Sequence, residues 1–273
     1  MNPLKNETLN AKLIGSCKTI AVILLMSSCA VRSLYIPVSQ NTPLFGKEKV
    51  LQATAYVGVN HIELQVAHNP IKKMAICGNI NFGTGISIYD LALGTYGHGS
   101  NSNWRYETFV GYGYNSNFAF QTANYNVLLN QSIKNYEVRS LYQKIYLQPA
   151  VGYFDAIKMY KMTYSFSLSA RLSANYFSNY TFREIDDTAT TNSGTTVYLK
   201  NINYTNRFVY TLEPCFTNKI GLKNIYAILQ FQVIIPYSDQ INLRNSVFSQ
   251  GFIFSLGLQY NFVFKPKKIA QKD

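Results

Sequence analysis

The stretch MTYSFSLSARLSA, residues 162–174, alternates between two kinds of side chain. Its even positions are apolar, from Met162 through Leu168 to Ala174, and its odd positions are small or polar. Strict alternation over this length indicates an extended strand with two unlike faces. The apolar face could contact either a protein core or lipid, so the rest of the chain must decide between a soluble β-protein and a membrane-spanning one.

The composition restricts these alternatives. Of the 273 residues, 15% are aromatic and only 14% are charged, which is unlike the charge-rich, aromatic-poor composition of disordered chains. No apolar run is long enough for a membrane-spanning helix. In a transmembrane β-barrel, lipid-facing and lumen-facing residues alternate and average out, so that architecture stays compatible with the composition.

The same alternation recurs from about residue 50 onward and predicts ten strands. The predicted strands are 50–59, 62–68, 72–82, 104–114, 118–129, 141–153, 158–176, 204–216, 224–235 and 252–264. Because 118–129 alternates weakly, eight strands is the alternative. Short turns are expected near 69–70, 115–117, 154–157 and 218–223, and longer outer loops at 83–103, 130–140, 177–203 and 237–250. Short periplasmic turns alternating with long outer loops are typical of outer-membrane barrels.

Aromatic residues are sorted to the two ends of the apolar face in the strands 158–176 and 252–264, with leucines between them. A soluble core offers no reason for this order, whereas tyrosine favours the headgroup level of a bilayer and leucine the hydrocarbon. We therefore expect an antiparallel, up-and-down transmembrane β-barrel over 49–264, with Leu168 facing lipid and Ser169 facing the lumen. The expected lipid-facing girdle consists of Tyr160, Tyr164, Tyr176, Phe252, Phe254, Tyr260, Phe262 and Phe264.

The N-terminus has the pattern of an exported lipoprotein. Basic residues precede the short apolar stretch TIAVILLM (19–26), and two serines then lead to Cys29. This order is typical of a secretory signal peptide, and a cysteine at this place resembles the lipobox of bacterial lipoproteins, although Met26 stands where leucine is usual. We expect 1–28 to be the signal peptide and 29–48 a linker lipidated at Cys29. A buried helix ending in an ordinary cysteine is the alternative.

Charged residues also fall on the polar faces of the predicted strands. We expect them to form a salt-bridged network in a narrow lumen, because buried charges need partners; its members are Arg105, Glu107, Lys144, Lys161, Arg171, Arg207 and Glu213. A barrel of eight to ten strands is nearly filled by its own side chains, which disfavours a wide pore. Cys77 and Cys215 also lie on polar faces, where we expect free buried thiols more than a disulfide.

The formal net charge of +12 would suit a nucleic-acid partner, but an exported protein does not meet one. The basic residues are scattered, apart from KPKK (265–268) in the C-terminal tail 265–273. The best catalytic candidate is His98, which shares the expected outer loop 83–103 with Asp90 but has no recognisable nucleophile beside it. No pattern of metal ligands is present in the sequence. We expect no catalytic residues, no cofactor and no metal.

Several segments together resemble the outer-membrane β-barrel lipoproteins common in the Bacteroidetes group. They are MSSCA (26–30), YIPVSQNTPLF (35–45), LQATAYVGV (51–59), NHIELQVAHNPIKKMAICGNINFG (60–83), YQKIYLQPAVGY (142–153) and the closing strand. The resemblance implies lipidation and an outer-membrane barrel. It contributes no catalytic residues, because that family is largely without an assigned activity. Many outer-membrane barrels end on a terminal aromatic residue, whereas here the basic tail follows Phe264.

These observations lead to one functional expectation with two alternatives. We expect a non-catalytic outer-membrane β-barrel lipoprotein of a Gram-negative bacterium, with a structural or partner-binding role. Its expected partners are outer-membrane lipid and another protein of the cell envelope, with no nucleic acid. The first alternative is a narrow pore for small solutes, and the second, less favoured, is a barrel enzyme that acts on lipid or peptide.

Overall fold

The computed structural model describes ten parts of the chain. They are Tyr35, 37–46, 49–57, 61–83, 85–99, 103–127, 130–159, 162–186, 197–237 and 252–264. These residues form β-strands and connecting segments, without any helix. Within them, accordingly, no helix is long and apolar enough to cross a membrane.

The strands form one antiparallel sheet that closes on itself. Their bounds are β1 Val50–Val57, β2 His61–Ile71, β3 Met74–Gly83, β4 Ile86–His98, β5 Trp104–Val127, β6 Asn130–Met159, β7 Met162–Asp186, β8 Val197–Leu222, β9 Ile225–Val233, β10 Ile235–Tyr237 and β11 Phe252–Val263. Neighbours along the chain pair from β1 to β8, β11 pairs with both β1 and β9, and β9 closes the ring on β8. The short β10 follows β9 along the same strand β8. The fold is a closed ten-stranded β-barrel with one extra strand.

The register of the pairs shows how the strands are staggered. Partners followed from Tyr56 through β2 to β7 lead to Arg207 on β8. Partners followed the other way, through β11 and β9, lead to Lys219 on the same strand, 12 residues further on. A closed sheet needs such a stagger, which accompanies the roughly 35–45° tilt of strands in barrels.

The barrel has two unlike ends. At one end, here called the turn rim, consecutive strands are joined by 72–73, 99–103, 160–161 and 223–224. At the other end, the loop rim, the connections are 58–60, 84–85, 128–129, 187–196 and 238–251. Strands β5 to β8 continue past the ends of their neighbours at the loop rim and form a four-stranded extension on one side of the barrel.

Side chains alternate between an apolar outer face and a polar lumen. Leu168 is 57% exposed on the outside, whereas its neighbour Ser169 is 7% exposed and faces inward. The same inversion runs around the ring, with exposed leucines, isoleucines and aromatic residues outside and buried glutamines, asparagines and serines inside. A protein that packed its apolar face into a core would show the reverse. The fold therefore presents its apolar side to the surroundings of the barrel.

The barrel has ten strands, as predicted, but the prediction missed one strand and divided another into two, and these two errors cancelled in the count. The region 83–103, predicted as a loop, contains β4, and the turn predicted at 115–117 lies inside β5. Asn115 and Asn117 have the composition of a turn, yet their side chains are buried on the luminal face, where polar residues belong. Much of the predicted loops 130–140 and 177–203 is likewise strand, belonging to the extension.

Candidate functional site: a lumen occupied by the N-terminal segment

The segment 37–46 lies inside the barrel. Val38, Gln40 and Phe45 are at most 1% exposed, and so is Tyr35 just upstream. The sequence analysis assigned this part of the chain to a lipidated linker, 29–48, that precedes the barrel domain. Its described residues instead occupy the space enclosed by the strands. We call residues 37–46, together with Tyr35, the luminal segment.

The luminal segment is held by an apolar cluster at each end. Near the loop rim, Tyr35 packs with residues of β6, β7 and β8, and its ring centre is 5.6 Å from that of Tyr142. Near the turn rim, Phe45 packs with Val50 at the start of β1 and with Tyr96 on β4, the two rings 5.4 Å apart. The segment therefore runs from the loop rim to the turn rim before the chain enters β1.

Between these clusters, the backbone and side chains of the segment are bound by luminal polar groups. The Ser39 amide donates to a Glu63 carboxylate oxygen at 3.1 Å, and Gln65 donates to the Ser39 carbonyl at 2.7 Å. Ser169 donates to the side-chain oxygen of Gln40 at 2.8 Å. The barrel strands β2 and β7 thus hold the segment from opposite parts of the ring.

Further down the segment the pattern continues. Lys219 donates to the Thr42 carbonyl at 2.6 Å, and the Leu44 amide donates to Glu107 at 2.9 Å. Three more backbone carbonyls of the segment accept hydrogen bonds from the side chains of luminal glutamines. Gln230 donates to the carbonyl of Gln40 at 2.6 Å, Gln148 to that of Asn41 at 2.7 Å and Gln52 to that of Pro43 at 3.0 Å. Buried backbone groups require such partners. The lining of the lumen is therefore complementary to an extended peptide.

Glu213 on β8 joins the segment to the barrel wall. Its carboxylate accepts hydrogen bonds from the Tyr35 hydroxyl, from Thr211 at 2.9 Å and from Gln232 at 2.7 Å. The side chain of Gln40 donates to the Glu213 carbonyl at 2.5 Å. Both the side chain and the backbone of one wall residue therefore bind the luminal segment.

The lumen also contains a buried ion pair, Lys144 with Asp90. The ammonium nitrogen of Lys144 is 2.8 Å from the Asp90 carboxylate, and both side chains are at most 2% exposed. Nearby, the Arg171 guanidinium donates to Gln148 and lies 4.7 Å from the centre of the Tyr146 ring. These cations are thus paired with a carboxylate, an amide and an aromatic face, each of which lowers the cost of burying charge.

Four members of the expected lumen network, Glu107, Lys144, Arg171 and Glu213, are buried in the lumen. Their partners differ from the expectation, because both glutamates bind the luminal segment. Arg105 is partly exposed and donates to the Trp104 carbonyl at 3.1 Å. The side chain of Lys161 lies outside the described residues.

The assignment of Arg207 to the lumen was wrong. Its side chain is exposed, on the part of β8 that belongs to the extension at the loop rim. Arg207 keeps the inward side that it shares with Val209, Thr211 and Glu213, and it pairs with the buried Phe177. It is exposed because β8 here runs past the closed ring and, within the described residues, pairs only with β7, so no lumen surrounds it.

Aromatic residues mark both ends of the outer face. Of the expected girdle, Phe252, Tyr260, Phe262 and Phe264 are exposed, while Tyr164, Tyr176 and Phe254 are partly exposed on the same side. Tyr160 lies outside the described residues. At the turn rim, the rings of Trp104 and Tyr153 are 5.3 Å apart, and at the loop rim those of Tyr176 and Phe208 are 5.0 Å apart. Exposed leucines such as Leu168 occupy the band between.

His98 and Asp90 were expected to share the outer loop 83–103, but both lie on the strand β4. His98 ends β4 at the turn rim and is exposed, whereas Asp90 is buried in the lumen. The two residues are eight positions apart along an extended strand, which corresponds to about 26 Å. His68 also lies at the turn rim, where its ring nitrogen is 3.0 Å from the Val50 carbonyl oxygen.

Cys77 and Cys215 are free and buried, as expected. They lie on β3 and β8, and the Cys215 sulfur is 3.8 Å from the Thr217 hydroxyl. Within the described part of the chain, His, Cys, Asp and Glu form no group of three that could hold a metal ion. Cys29, the expected site of lipidation, lies outside the described residues, as do the signal peptide 1–28 and the tail 265–273.

Sequence reasoning missed the luminal segment and the role of Asp90. One feature of the sequence could have indicated the luminal segment: the polar run SQNT (39–42) lies between two aromatic residues, Tyr35 and Phe45. A solvated linker needs no such order, whereas a peptide that crosses a polar lumen between two apolar rims does. Asp90 was missed because β4 was read as a loop.

Comparison with known proteins adds no assignment. No protein-family model matches the chain, and no curated protein sequence matches it significantly. The chemistry of the outer face and of the lumen therefore carries the functional argument.

Proposed function

We propose that this protein is an outer-membrane β-barrel lipoprotein without catalytic activity, anchored by a lipid on Cys29, which serves as a structural or partner-binding component of the cell envelope. The signal peptide and the lipobox-like cysteine in the sequence support export and lipidation. The apolar outer face and the polar lumen of the barrel support its insertion into a membrane.

The observation that carries the proposal is the outer face. In water, a closed barrel with exposed Leu64, Leu91, Leu147, Leu168 and Leu258 would leave a continuous apolar belt without a partner. Large exposed apolar surfaces mark interaction with another apolar phase. A bilayer fits this belt best, because the barrel is closed and leaves no unpaired backbone edge within the band, and because aromatic residues lie at both margins.

The lumen supports a role other than free diffusion of solutes. A ten-stranded barrel has a narrow interior, and here the luminal segment occupies it with hydrogen bonds to the wall on several sides. Glutamates and glutamines that would line a water-filled path bind the segment instead. The interior therefore acts as a polar core that stabilises the barrel.

The extension of β5 to β8 is the surface best suited to a partner. In the described part of the chain, β5 beyond Phe118 pairs only with β6, and β8 before Tyr210 pairs only with β7. Among the described residues, therefore, each outer strand of the extension has one edge without a strand partner. Exposed strand edges are a common means of binding a further protein segment.

The proposal is tested by locating and labelling the native chain. We expect the protein in the outer-membrane fraction, with heat-modifiable migration in gels, and labelled by palmitate in the parent chain but not in a Cys29→Ala variant. Recovery of the folded protein from the soluble periplasm would overturn the membrane role. Palmitate labelling that persists in Cys29→Ala would overturn the anchor.

A narrow pore is the second candidate, and one observation favours it. Several luminal side chains, among them Asn81, Asn115 and Ser173, have buried polar atoms with no hydrogen-bond partner within the described structure. Such groups suit ordered water. Planar-bilayer recording of the full chain distinguishes the candidates: the filled lumen predicts silence, and steady conductance would favour the pore.

A further inference from the structure

An open pocket lies where the extension leaves the barrel at the loop rim. Its volume is about 420 Å³, and its lining includes Ser116 and Phe118 on β5, Arg139 and Leu141 on β6, and Asn179 on β7. Phe118 is paired with Arg139, and Leu141 is paired with both Ser116 and Asn179. Three neighbouring strands therefore contribute side chains to one site.

Arg139 brings a positive charge to this pocket in a fixed orientation. It points to the outer face, because its neighbours Val138 and Ser140 are buried whereas its own side chain is 60% exposed. Its Nε donates to the Glu137 carboxylate at 2.7 Å, and its guanidinium lies 4.8 Å from the centre of the Phe118 ring. Within the described part of the chain, the donors on both Nη atoms are left for a ligand.

A second arginine shares the same carboxylate. Arg183 on β7 donates to the other oxygen of Glu137 at 3.3 Å. Two guanidinium groups and one carboxylate leave one positive charge in excess. The side chains of Arg139 and Arg183 are 60% and 37% exposed, whereas that of Glu137 is 11% exposed. The carboxylate therefore lies beneath the arginines, and the charge presented to the surroundings is positive.

The pocket lies just beyond the aromatic residues that mark the loop-rim margin of the apolar belt. Ser116 is two residues past Tyr114 on β5, and Asn179 is three residues past Tyr176 on β7, which corresponds to about 7–10 Å along the strands. Tyrosines in such girdles lie at the membrane interface, and the headgroup layer extends about 5–8 Å beyond the hydrocarbon. Because barrel strands are tilted, the pocket falls within the headgroup layer.

We propose that this pocket binds the phosphate of an anionic membrane lipid through Arg139 and Arg183. The proposal rests on the proposed function and names a specific lipid-headgroup site for it. Guanidinium groups suit this role because their planar donors match phosphate oxygens in pairs. The Ser116 hydroxyl and the Asn179 amide can donate further hydrogen bonds. Leu141 provides apolar contact, and the pocket continues into the belt that acyl chains cover, which favours a lipid as the source of the phosphate.

The proposal is tested by measuring which lipid the full chain retains. The chain is equilibrated in detergent micelles with equal amounts of phosphatidylglycerol and phosphatidylcholine, then purified, and the lipid that copurifies is quantified by mass spectrometry. We expect the parent chain to retain phosphatidylglycerol in preference, and Arg139→Gln to retain about tenfold less, as the loss of hydrogen bonds to a charged group implies. Because Arg139 is exposed, this variant should fold, and heat-modifiable migration checks that it does.

The control is Lys72→Gln/Lys73→Gln, which removes two exposed positive charges at the turn rim and should retain phosphatidylglycerol as the parent does. Equal retention of the two lipids by the parent, or an equal loss in Arg139→Gln and the control, would overturn the site. Both results would come from chains with heat-modifiable migration, so they would leave the proposed membrane function in place. A folded chain recovered from the soluble periplasm would overturn that function itself.

Inorganic phosphate distinguishes a lipid headgroup from free phosphate. A large excess of inorganic phosphate is added to the lipid-loaded parent chain, and chloride at the same ionic strength is the reference. We expect equal retention of phosphatidylglycerol in both, since the lipid also makes apolar contacts that free phosphate lacks. Displacement by phosphate but not by chloride would overturn the assignment to lipid.

Discussion

Asp90 and Lys144 form a buried ion pair across an intervening strand. They lie on β4 and β6, and the residue between them in the register is Gly113 on β5. A side chain at that position would occupy the space in which the two charged groups meet, since a Cβ there would lie 2.2 Å from an Asp90 carboxylate oxygen and 2.6 Å from the Lys144 Cε. The glycine thus makes the pair possible.

Gly113→Ala is expected to destabilise the barrel by about 3–5 kcal/mol, the cost of separating a buried pair. The free energy of unfolding in urea, followed by heat-modifiable migration, measures this effect. Gly78→Ala is the matched control, because a Cβ at Gly78 would meet only a backbone oxygen at 4.0 Å. Equal stability of the two variants would contradict the steric role of Gly113.

Removing only one member of the Asp90–Lys144 pair is expected to lower the free energy of unfolding more than removing both. Lys144→Met leaves the Asp90 carboxylate buried and unpaired, at a cost of about 3–5 kcal/mol in unfolding free energy. The double variant Lys144→Met/Asp90→Leu should recover most of this loss, because no uncompensated charge remains. A double-mutant cycle measures the coupling, and additive losses would show that the two side chains do not interact.

Leu168→Arg tests what surrounds the barrel. At a lipid-facing site near the middle of a bilayer, arginine costs roughly 2–4 kcal/mol, whereas at an exposed site in water the change stays within about 0.5 kcal/mol. Urea titration of the barrel folded into phospholipid vesicles measures the difference. Thr205→Arg, at an exposed position on the extension, is the control. If Leu168→Arg were as stable as the control, the belt would not face lipid.

Phe45→Ala tests whether the luminal segment is part of the folded core. Phe45 is 1% exposed in the turn-rim cluster, so truncation should cost about 3–5 kcal/mol of unfolding free energy. Val57→Ala, at a site that is 72% exposed, should cost far less. Urea unfolding of both variants makes the comparison. A barrel unaffected by Phe45→Ala would imply that the segment does not stabilise it.

Proximity within the lumen can be checked by engineered disulfides. The hydroxyls of Thr42 and Thr217 are 3.5 Å apart, so Thr42→Cys/Thr217→Cys should cross-link under mild oxidation. Both this variant and its control also carry Cys215→Ser, because the native Cys215 sulfur lies 3.8 Å from the Thr217 hydroxyl and would compete for the new thiol. The cross-link would appear as a changed gel mobility that a reductant reverses. Thr42→Cys/Thr108→Cys is the control, since Thr108 is exposed on the outer face. Equal cross-linking in both pairs would contradict a seated segment.

The alternation of residue types was sufficient to predict the barrel and its inverted faces. Leu168 and Ser169 are neighbours in sequence, and in a strand neighbours point to opposite sides, so one local pattern assigns both. The number of strands agreed only because two errors cancelled: β4 was missed, and β5 was divided by a false turn at 115–117. The side of the sheet to which each side chain points depends only on its neighbours in sequence, so the prediction is correct wherever the backbone is a regular strand.

Strand boundaries were less predictable, because the same residue types suit turns and a polar lumen. Asn115 and Asn117 are ordinary turn residues, and only closure of the barrel places them on a luminal face. Likewise, Gly113 carries no local sign that it makes room for an ion pair between two other strands. The fit depends on partners that are not adjacent in sequence.

By itself, the sequence determined the class of fold and the polarity of its two faces, and it favoured free thiols at Cys77 and Cys215 over a disulfide. Only the tertiary structure decided that the luminal segment lies in the barrel, and in which direction. Gln40 meets Ser169 and Glu213, more than a hundred residues away. Such contacts leave no periodic pattern in a short extended peptide, because each of its residues satisfies a different strand of the ring.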